Sequence, residues 1–226
     1  MIYVMSDLHG CYEKYTKMLK KISFSKEDTL YILGDVVDRG PNGMKILLDI
    51  AGRKNVTLLR GNHDLQAAIL LLNLYRLEEE SCPKELLEVY KGWLEDGGNT
   101  TLEEFLRLSE KERDQVLGVL RNSQISKEIE VNGKKFLLAH TVPEVDCICD
   151  YEEWTEEDYT IGEPDYDEVY FDDMKVITGH TPTKYIDRNC VGKIWMGNHH
   201  IAIDCGAVFG HPLGCLCLET MEEFYV

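Results

Sequence analysis

Short apolar runs alternate with amphipathic stretches along roughly the first sixty residues of the chain. Runs of four or five apolar residues predict strands, and apolar residues three and four positions apart predict helices. The predicted order is strand, helix, strand, helix, strand, over Ile2–Met5, Tyr12–Ile22, Thr29–Leu33, Met44–Ala51 and Val56–Leu59. This order indicates parallel strands joined by right-handed crossovers.

The pattern then changes to longer amphipathic stretches, and afterwards to short apolar runs. Helices are predicted over Gln66–Leu77, Lys84–Trp93, Thr101–Leu108 and Glu110–Arg121, the last with a capping box of Ser109 and Glu112. Strands are predicted over Ile125–Val131, Lys134–Ala139, Val176–Thr178, Lys193–Met196, His200–Asp204 and Leu213–Leu218. Asn132-Gly133 separates the first two of these strands and predicts a tight hairpin turn. We expect an α/β fold in which two sheets pack together with helices on the outer faces.

Clusters of polar residues follow five of the predicted strands. These clusters are Ser6–Gly10, Gly34–Gly40, Gly61–Asp64, His140 and Gly179–Thr181. Loops at strand ends are where folds of alternating strands and helices gather their functional groups. Carboxylate, amide and imidazole groups brought together from five separate segments are typical of a site for two metal ions that hydrolyses phosphate esters.

The spacing of these polar residues predicts how the ligands divide between two ions. Asp7 and His9 leave the same strand and offer a carboxylate and an imidazole to one ion, and Asp35 is suited to bridge both ions. The second ion would receive one amide oxygen and two imidazoles, from Asn62, His140 and His180. Mixed nitrogen and oxygen ligands suit manganese, iron or zinc better than magnesium or calcium. We expect two divalent ions, with manganese favoured.

Four further residues are candidates for handling the phosphate and the leaving group. His63 follows Asn62 and is the candidate general acid, with Asp38 orienting its ring and favouring the protonated form. Arg39 carries a planar fork that suits two phosphate oxygens. Arg60 is either a second phosphate contact or one half of a surface salt bridge, and the sequence favours neither alternative.

These motifs resemble those of the phosphoprotein phosphatase family of metallophosphoesterases, and most closely its small bacterial and bacteriophage members. The likeness spans residues 7–180 and continues over Asp204–Phe209. It implies a four-layer α/β/β/α sandwich with two mixed sheets. It also implies hydrolysis of phosphomonoesters, notably phosphoserine and phosphothreonine, through direct attack by a hydroxide that bridges two metal ions. The matching positions imply metal ligation by Asp7, His9, Asp35, Asn62, His140 and His180, with His63, Asp38 and Arg39 in the roles given above.

The chain also departs from that family. The family usually has another phosphate-binding arginine between its last two histidine ligands, whereas no arginine occurs here between Arg121 and Arg188. Asp64 replaces the glutamate of many protein phosphatases and matches the related symmetrical dinucleoside tetraphosphate hydrolases, which tend to lack Asp38. We favour a serine/threonine protein phosphatase, with a symmetrical dinucleoside polyphosphate hydrolase or a small-metabolite phosphatase as the alternative. A regulatory protein without activity is the least favoured hypothesis, because every ligand and His63 are present.

The charge is unevenly distributed along the chain. The net charge is −17, and residues 141–174 contain fourteen of the 41 acidic residues and none of the 24 basic ones. Such a balance argues against a nucleic-acid partner, because basic surface is needed to hold phosphate backbones. We interpret the acidic segment as a solvated loop, or as a lid-like insertion that selects basic substrates. A lid of this kind would oppose a polyanionic nucleotide, which favours a phosphorylated protein or peptide as substrate.

The length and the remaining composition predict one domain over residues 1–226. No apolar run approaches the length of a membrane span, and a strand-like run at the start takes the place of a signal peptide. We therefore expect a cytoplasmic protein without membrane contact, in which the eight cysteines stay reduced.

Overall fold

The computed structural model describes residues 1–76, 84–144 and 151–226. Its strands are β1 (Ile2–Met5), β2 (Thr29–Leu33), β3 (Val56–Leu59), β4 (Ser126–Val131), β5 (Lys134–Ala139), β6 (Met174–Thr178), β7 (Trp195–Gly197), β8 (His200–Ala202), β9 (Gly214–Cys217) and β10 (Glu223–Tyr225). Its helices are α1 (Tyr12–Lys21), α2 (Gly43–Ala51), α3 (Asn62–Arg76), α4 (Lys84–Trp93), α5 (Asn99–Arg107), α6 (Glu110–Arg121), α7 (Glu156–Ile161) and α8 (Thr183–Ile186). None of the helices within these residues is long and apolar enough to cross a membrane.

The strands form two mixed sheets of five strands each. In the first sheet the order is β10-β9-β1-β2-β3, with β1, β2 and β3 parallel and β9 and β10 antiparallel to their neighbours. In the second sheet the order is β4-β5-β6-β8-β7, with β5, β6 and β8 parallel and β4 and β7 antiparallel at the edges. Parallel strands end at the same edge of their sheet, so the loops after β1, β2 and β3 are neighbours, as are those after β5 and β6.

Alternation along the strands builds the layers. Successive side chains of a strand point to opposite faces: Tyr3 and Met5 of β1 pack against the helices, whereas Val4 packs between the sheets. The space between the sheets is filled by apolar side chains of both, including Leu33, Leu59, Phe136, Leu138 and Ile177. On the outer face of the second sheet, Leu137 and Val176 pack against Tyr159 of α7. The predicted four-layer α/β/β/α sandwich with two mixed sheets is confirmed.

The acidic segment is more ordered than a solvated loop. Thr155 and Asp158 form a capping box that starts α7, and Tyr159 and Tyr170 are buried against the second sheet. The acidic side chains of residues 151–173 are mostly exposed, as a solvated segment predicts, but Tyr159 and Tyr170 pack the segment onto the second sheet. Its role as a lid stays a prediction, and residues 145–150 lie outside the described part of the chain.

Several element boundaries were predicted from local sequence, and others were not. The bounds of β1, β2 and β3 are as predicted, the Ser109 capping box forms, and both turn residues of the β4–β5 hairpin have positive φ, as a type I′ turn requires. By contrast, α3 begins at Asn62, four residues before the predicted start. The prediction missed the first turn because its residues are polar and show no apolar spacing. Leu77, the predicted end of this helix, lies outside the described residues. The short elements β10 and α8 were not predicted.

Candidate dinuclear metal centre

The polar loops after β1, β2, β3, β5 and β6 meet at the carboxyl ends of both sheets, as the sequence predicted. The candidate ligands there come from segments up to 173 residues apart in sequence. The most distant pair is Asp7 and His180, whose backbone N–H donates to the Asp7 carboxylate. Four of the six candidates are buried outright, with at most 2% exposure: Asp7, His9, Asp35 and His140. Asn62 and His180 are partly buried.

The two carboxylate oxygens of Asp35 face two different groups of side chains. Oδ2 lies 3.5 Å from Nε2 of His9, and Oδ1 lies 3.6 Å from Nε2 of His140. The same His140 nitrogen is 3.0 Å from Oδ1 of Asn62 and 3.0 Å from Nδ1 of His180. The donors therefore form two groups that share Asp35, which is the arrangement needed for two cations bridged by one carboxylate.

Hydrogen bonds to backbone carbonyls orient the histidine rings. Nδ1 of His9 donates to the Val37 carbonyl at 2.8 Å, and Nδ1 of His140 donates to the Leu33 carbonyl at 2.7 Å. With Nδ1 protonated, Nε2 of each ring keeps the lone pair that a metal ion would bind, and this nitrogen lies near an oxygen of Asp35. Burial, together with neighbouring cationic groups, lowers the pKa of His180 to about 3 and that of His9 well below its usual value. The rings of His9 and His180 are therefore neutral, as metal ligation requires.

The buried carboxylates also fit a pair of cations. Both oxygens of Asp7 accept the backbone N–H of His180, at 3.2 and 3.0 Å, which ties the first sheet to the second. Burial raises the pKa of Asp7, and raises that of Asp35 well above its usual value. Buried negative charges are unfavourable unless cations compensate them. The donor set of carboxylate, imidazole and amide groups fits divalent ions such as manganese, iron or zinc.

The backbone of these loops is in an uncommon conformation. Non-glycine residues rarely have positive φ, and clusters of them mark functional sites. Here positive φ values between 37° and 67° occur at Asp7, His9, Asp35, Asp38, Arg39 and His180. The loops around the centre therefore hold their side chains in place at a conformational cost that the packed sheets offset.

Gly61 lets the loop after β3 approach Asp35. A Cβ atom added to Gly61 would lie 2.1 Å from Oδ1 of Asp35 and 2.5 Å from its backbone nitrogen. No side chain fits at that distance, so only glycine allows Asp35 and the following Asn62 to approach the same point.

His63 and Asp38 form a buried pair next to this centre. Nδ1 of His63 donates to Oδ2 of Asp38 at 2.8 Å, and the His63 ring centroid is 4.9 Å from that of His9. The other nitrogen, Nε2, is buried and has no hydrogen-bond partner among the described residues. Burial opposes protonation, but the hydrogen bond to Asp38 and the charge of Asp35 outweigh it and raise the pKa of His63. A nitrogen of His63 also lies within 4.8 Å of a nitrogen of His9 and a carboxylate oxygen of Asp35, so the three side chains could share one metal ion.

Two residues that the sequence analysis did not assign to the site hold Asp38 in place. The indole N–H of Trp93 donates to Oδ2 of Asp38 at 2.9 Å, and the Thr101 hydroxyl donates to Oδ1 at 2.6 Å. The sequence patterns placed Trp93 only at the end of one predicted helix and Thr101 only at the start of the next. Because they lie 55 and 63 residues from Asp38 along the chain, no local motif indicates these contacts.

Asp64 connects the loop after β2 with the loop after β3. One of its oxygens accepts the Val36 N–H at 3.0 Å, and the other accepts the Gly61 N–H at 3.3 Å. Burial raises the pKa of this carboxyl group to about 6. The role of Asp64 is therefore to fix the relative position of the loops that carry Asp35 and Asn62.

The two candidate phosphate-binding arginines have different surroundings. Nη1 of Arg39 lies 2.8 Å from Nε2 of His9, so Arg39 is at the centre. Arg60 instead donates from Nε to the Ser123 hydroxyl at 2.9 Å and pairs with Glu156 of α7. The salt-bridge alternative for Arg60 therefore occurs in the structure, and its contact with phosphate stays a prediction.

Comparison with known proteins agrees with this geometry. The family model of calcineurin-like phosphoesterases matches residues 1–211. The chain belongs to the calcineurin-like phosphoesterase family. The resemblance found in the motifs is thereby confirmed at the level of this phosphoesterase family. The family has a dinuclear divalent metal centre, and the ligand groups described above would form it.

Two curated relatives of this phosphoesterase are both named symmetrical bis(5'-nucleosyl)-tetraphosphatases. The symmetrical bis(5'-nucleosyl)-tetraphosphatase of Buchnera aphidicola subsp. Schizaphis graminum is 34% identical over 141 residues, which are 62% of this chain and 43% of the relative. That of Delftia acidovorans is 30% identical over 142 residues, which are 62% of this chain and 43% of the relative. The chain spans less than half the length of these curated relatives.

Solved structures support the fold. The crystal structure of a protein provisionally described as a diadenosine tetraphosphatase aligns with a TM-score of 0.69 and 17% identity, covering all of this chain and 92% of that one. A serine/threonine phosphatase from Saccharomyces cerevisiae aligns with a TM-score of 0.58 and 13% identity, covering 95% of this chain and 71% of that one. At such identities the likeness concerns the fold alone.

Proposed function

We propose that this phosphoesterase is a metal-dependent hydrolase of dinucleoside polyphosphates. The observation that carries the proposal is the position of Asp35, whose two oxygens face His9 and His140 as a bridging carboxylate would. The names of the relatives support the substrate class. The sequence analysis favoured a serine/threonine phosphatase, and the relatives support its stated alternative instead.

The reaction breaks one phosphoanhydride bond with one water molecule and gives two products that each end in a phosphate. Two divalent ions, held by Asp7, His9, Asp35, Asn62, His140 and His180, would activate water and neutralise the phosphoryl oxygens. Arg39 is placed to bind non-bridging oxygens of the attacked phosphate, since its guanidinium lies next to His9. Nε2 of His63 is placed to donate a proton to the leaving oxygen, while Asp38 holds the ring through Nδ1.

A substrate panel tests this proposal. The purified protein would be loaded with manganese and given diadenosine tetraphosphate, a phosphoserine peptide and a small alkyl phosphate at equal concentrations. We expect the highest kcat/KM for the dinucleotide, with two molecules of adenosine diphosphate as products. Asp35→Asn should abolish all activity. Preference for the phosphopeptide, or dinucleotide cleavage that survives in Asp35→Asn, would contradict the proposal.

A phosphoprotein substrate remains the second candidate because of one acidic cavity. This cavity of about 710 Å³ is lined by residues that include Glu144, four residues after His140, and Tyr185, five residues after His180. Its lining includes five carboxylates, from Glu144, Glu163, Asp165, Asp167 and Asp187. A cavity with this charge would attract basic residues next to a phosphorylated side chain and repel a polyphosphate. The phosphopeptide in the panel, flanked by arginines, tests this candidate directly.

A further inference from the structure

An exposed aromatic ring lies between two cationic side chains beside the metal centre. Phe209 is 53% exposed. Cζ of Arg39 lies 5.8 Å from the centroid of its ring, and Nζ of Lys184 lies 5.4 Å from the same centroid. Cations at this distance are attracted to the face of an aromatic ring. The geometry thus places two positive charges and one half-exposed aromatic ring together.

The two cations come from different segments of the chain. Arg39 belongs to the loop after β2 and reaches His9. Lys184 belongs to α8, four residues after the ligand His180, and α8 is tied to the end of the second sheet because Thr183 N–H donates to the Asp204 carbonyl at 2.9 Å. The ring of Phe209 therefore has cations from two separate segments beside it, and one of them, Arg39, also contacts the centre through His9.

The loop that carries Phe209 is anchored in spite of its exposure. The ammonium group of Lys14 donates to the carbonyl of Ala207 at 2.7 Å and also to the carbonyl of His211. Within the loop, Phe209 N–H donates to the Gly206 carbonyl at 3.0 Å. These bonds hold the loop backbone on both sides of Phe209 in position, so little backbone freedom is lost when a ligand contacts the ring.

Lys184 has a charge that its surroundings do not neutralise. Within the part of the chain that the structure describes, Lys184 forms no ion pair, and its ammonium group lies over the rings of Phe209 and Tyr185. Lys184 therefore supplies an uncompensated positive charge four residues beyond His180 in the chain.

We propose that Lys184 and Phe209 form a subsite, next to Arg39, for the nucleoside polyphosphate arm beyond the attacked phosphate. Lys184 binds oxygens of the polyphosphate chain, and the ring of Phe209 stacks on the nucleobase. This inference rests on the proposed function and adds the residues that select its substrate. A phosphopeptide would instead place its basic side chains in the acidic cavity on the other side of Tyr185, where it would gain nothing from Lys184 or Phe209.

Three substrates separate the roles of the two residues. Diadenosine tetraphosphate has bases and a polyphosphate chain, inorganic tripolyphosphate has the chain alone, and β-glycerophosphate has neither. We expect Lys184→Gln to lower kcat/KM about 10- to 100-fold for the first two substrates and to leave β-glycerophosphate unchanged. Phe209→Ala should lower kcat/KM about tenfold for the dinucleotide alone. The exposed Lys193 provides the matched control, and Lys193→Gln should change none of the three rates.

Binding gives a second readout that does not depend on turnover. Calorimetric titration with a methylene-bridged, non-hydrolysable dinucleotide should show about tenfold weaker binding for Lys184→Gln and for Phe209→Ala. Unchanged melting temperatures would show that both variants are folded. Equal losses on all three substrates, or unchanged binding in both variants, would overturn the subsite while leaving the proposed function intact. Wild-type protein that cleaves β-glycerophosphate or the phosphopeptide but not the dinucleotide would overturn both.

Discussion

Trp93 donates its indole N–H to the same oxygen of Asp38 that accepts the hydrogen bond of His63. The bond measures 2.9 Å, and both Trp93 and Asp38 have no exposed surface. A tryptophan from the helical layer thus fixes the carboxylate that fixes the candidate general acid. Trp93 does not touch the reacting atoms and acts as a positioning residue.

Removing this indole N–H tests the positioning role. Trp93→Phe keeps the aromatic packing, and we expect it to lower kcat about tenfold with little change in KM, because the loss of one hydrogen bond to a charged group corresponds to roughly 1.5–3 kcal/mol at most. The matched control is Trp195→Phe, at a partly buried tryptophan packed on Tyr166 and His200. A larger effect of the control variant on kcat would contradict the role of Trp93.

The role of His63 predicts a dependence on the leaving group. An alkoxide is a strong base and needs a proton as it leaves, whereas a nucleoside diphosphate is a weak base. We expect His63→Asn to lower turnover of an alkyl phosphate about 10²- to 10⁴-fold. The fold-loss for a dinucleoside polyphosphate should be about ten times smaller. Metal content should stay intact in this variant and fall in His140→Asn. Equal metal loss in the two variants would make His63 a ligand instead of an acid.

The close approach of Gly61 to Asp35 predicts that one methyl group added at Gly61 disrupts the centre. In Gly61→Ala the new Cβ would overlap Oδ1 of Asp35, so we expect loss of bound metal and at least about a hundredfold fall in activity, the cost of misplacing catalytic groups by about 1 Å. Gly118 of α6 has nothing within 4 Å of an added Cβ. Gly118→Ala should therefore keep full activity and gain about 0.5–1 kcal/mol of stability. Elemental analysis and thermal unfolding of both variants decide the matter.

The buried carboxylates predict that metal stabilises the fold. Burial raises the pKa of Asp7 and Asp35, so cations that bind only the folded state relieve an unfavourable burial of charge. Manganese at about a hundred times its dissociation constant should add about 2.7 kcal/mol to the free energy of unfolding. Differential scanning calorimetry should show this gain in wild type and in Asp114→Asn, a change at an exposed helix position, but not in Asp35→Asn. An equal gain in Asp35→Asn would place the cations elsewhere.

Local sequence was enough to predict every described strand except β10 and to indicate the candidate ligands. The apolar runs give β1, β2 and β3 their bounds, and polar residues directly after parallel strands come together at one edge of the sheet. The contacts of Trp93 and Thr101 with Asp38 depend instead on how the helical layer packs, and neighbouring residues carry no sign of them. The same holds for Lys184 and Phe209, which meet through the packing of α8 against the loop after β8. Charge alone also gave an incomplete interpretation of the acidic segment, because its acidic side chains are mostly exposed while its buried tyrosines pack it onto the second sheet.

The measurement that bears most directly on the account is a crystal structure with anomalous scattering recorded near the manganese edge. The bridging position of Asp35 predicts two peaks about 3.5–4 Å apart, one beside His9 and Asp7 and the other beside Asn62, His140 and His180. A single peak, or two peaks of which neither contacts Asp35, would contradict the dinuclear centre and the hydrolysis proposed from it.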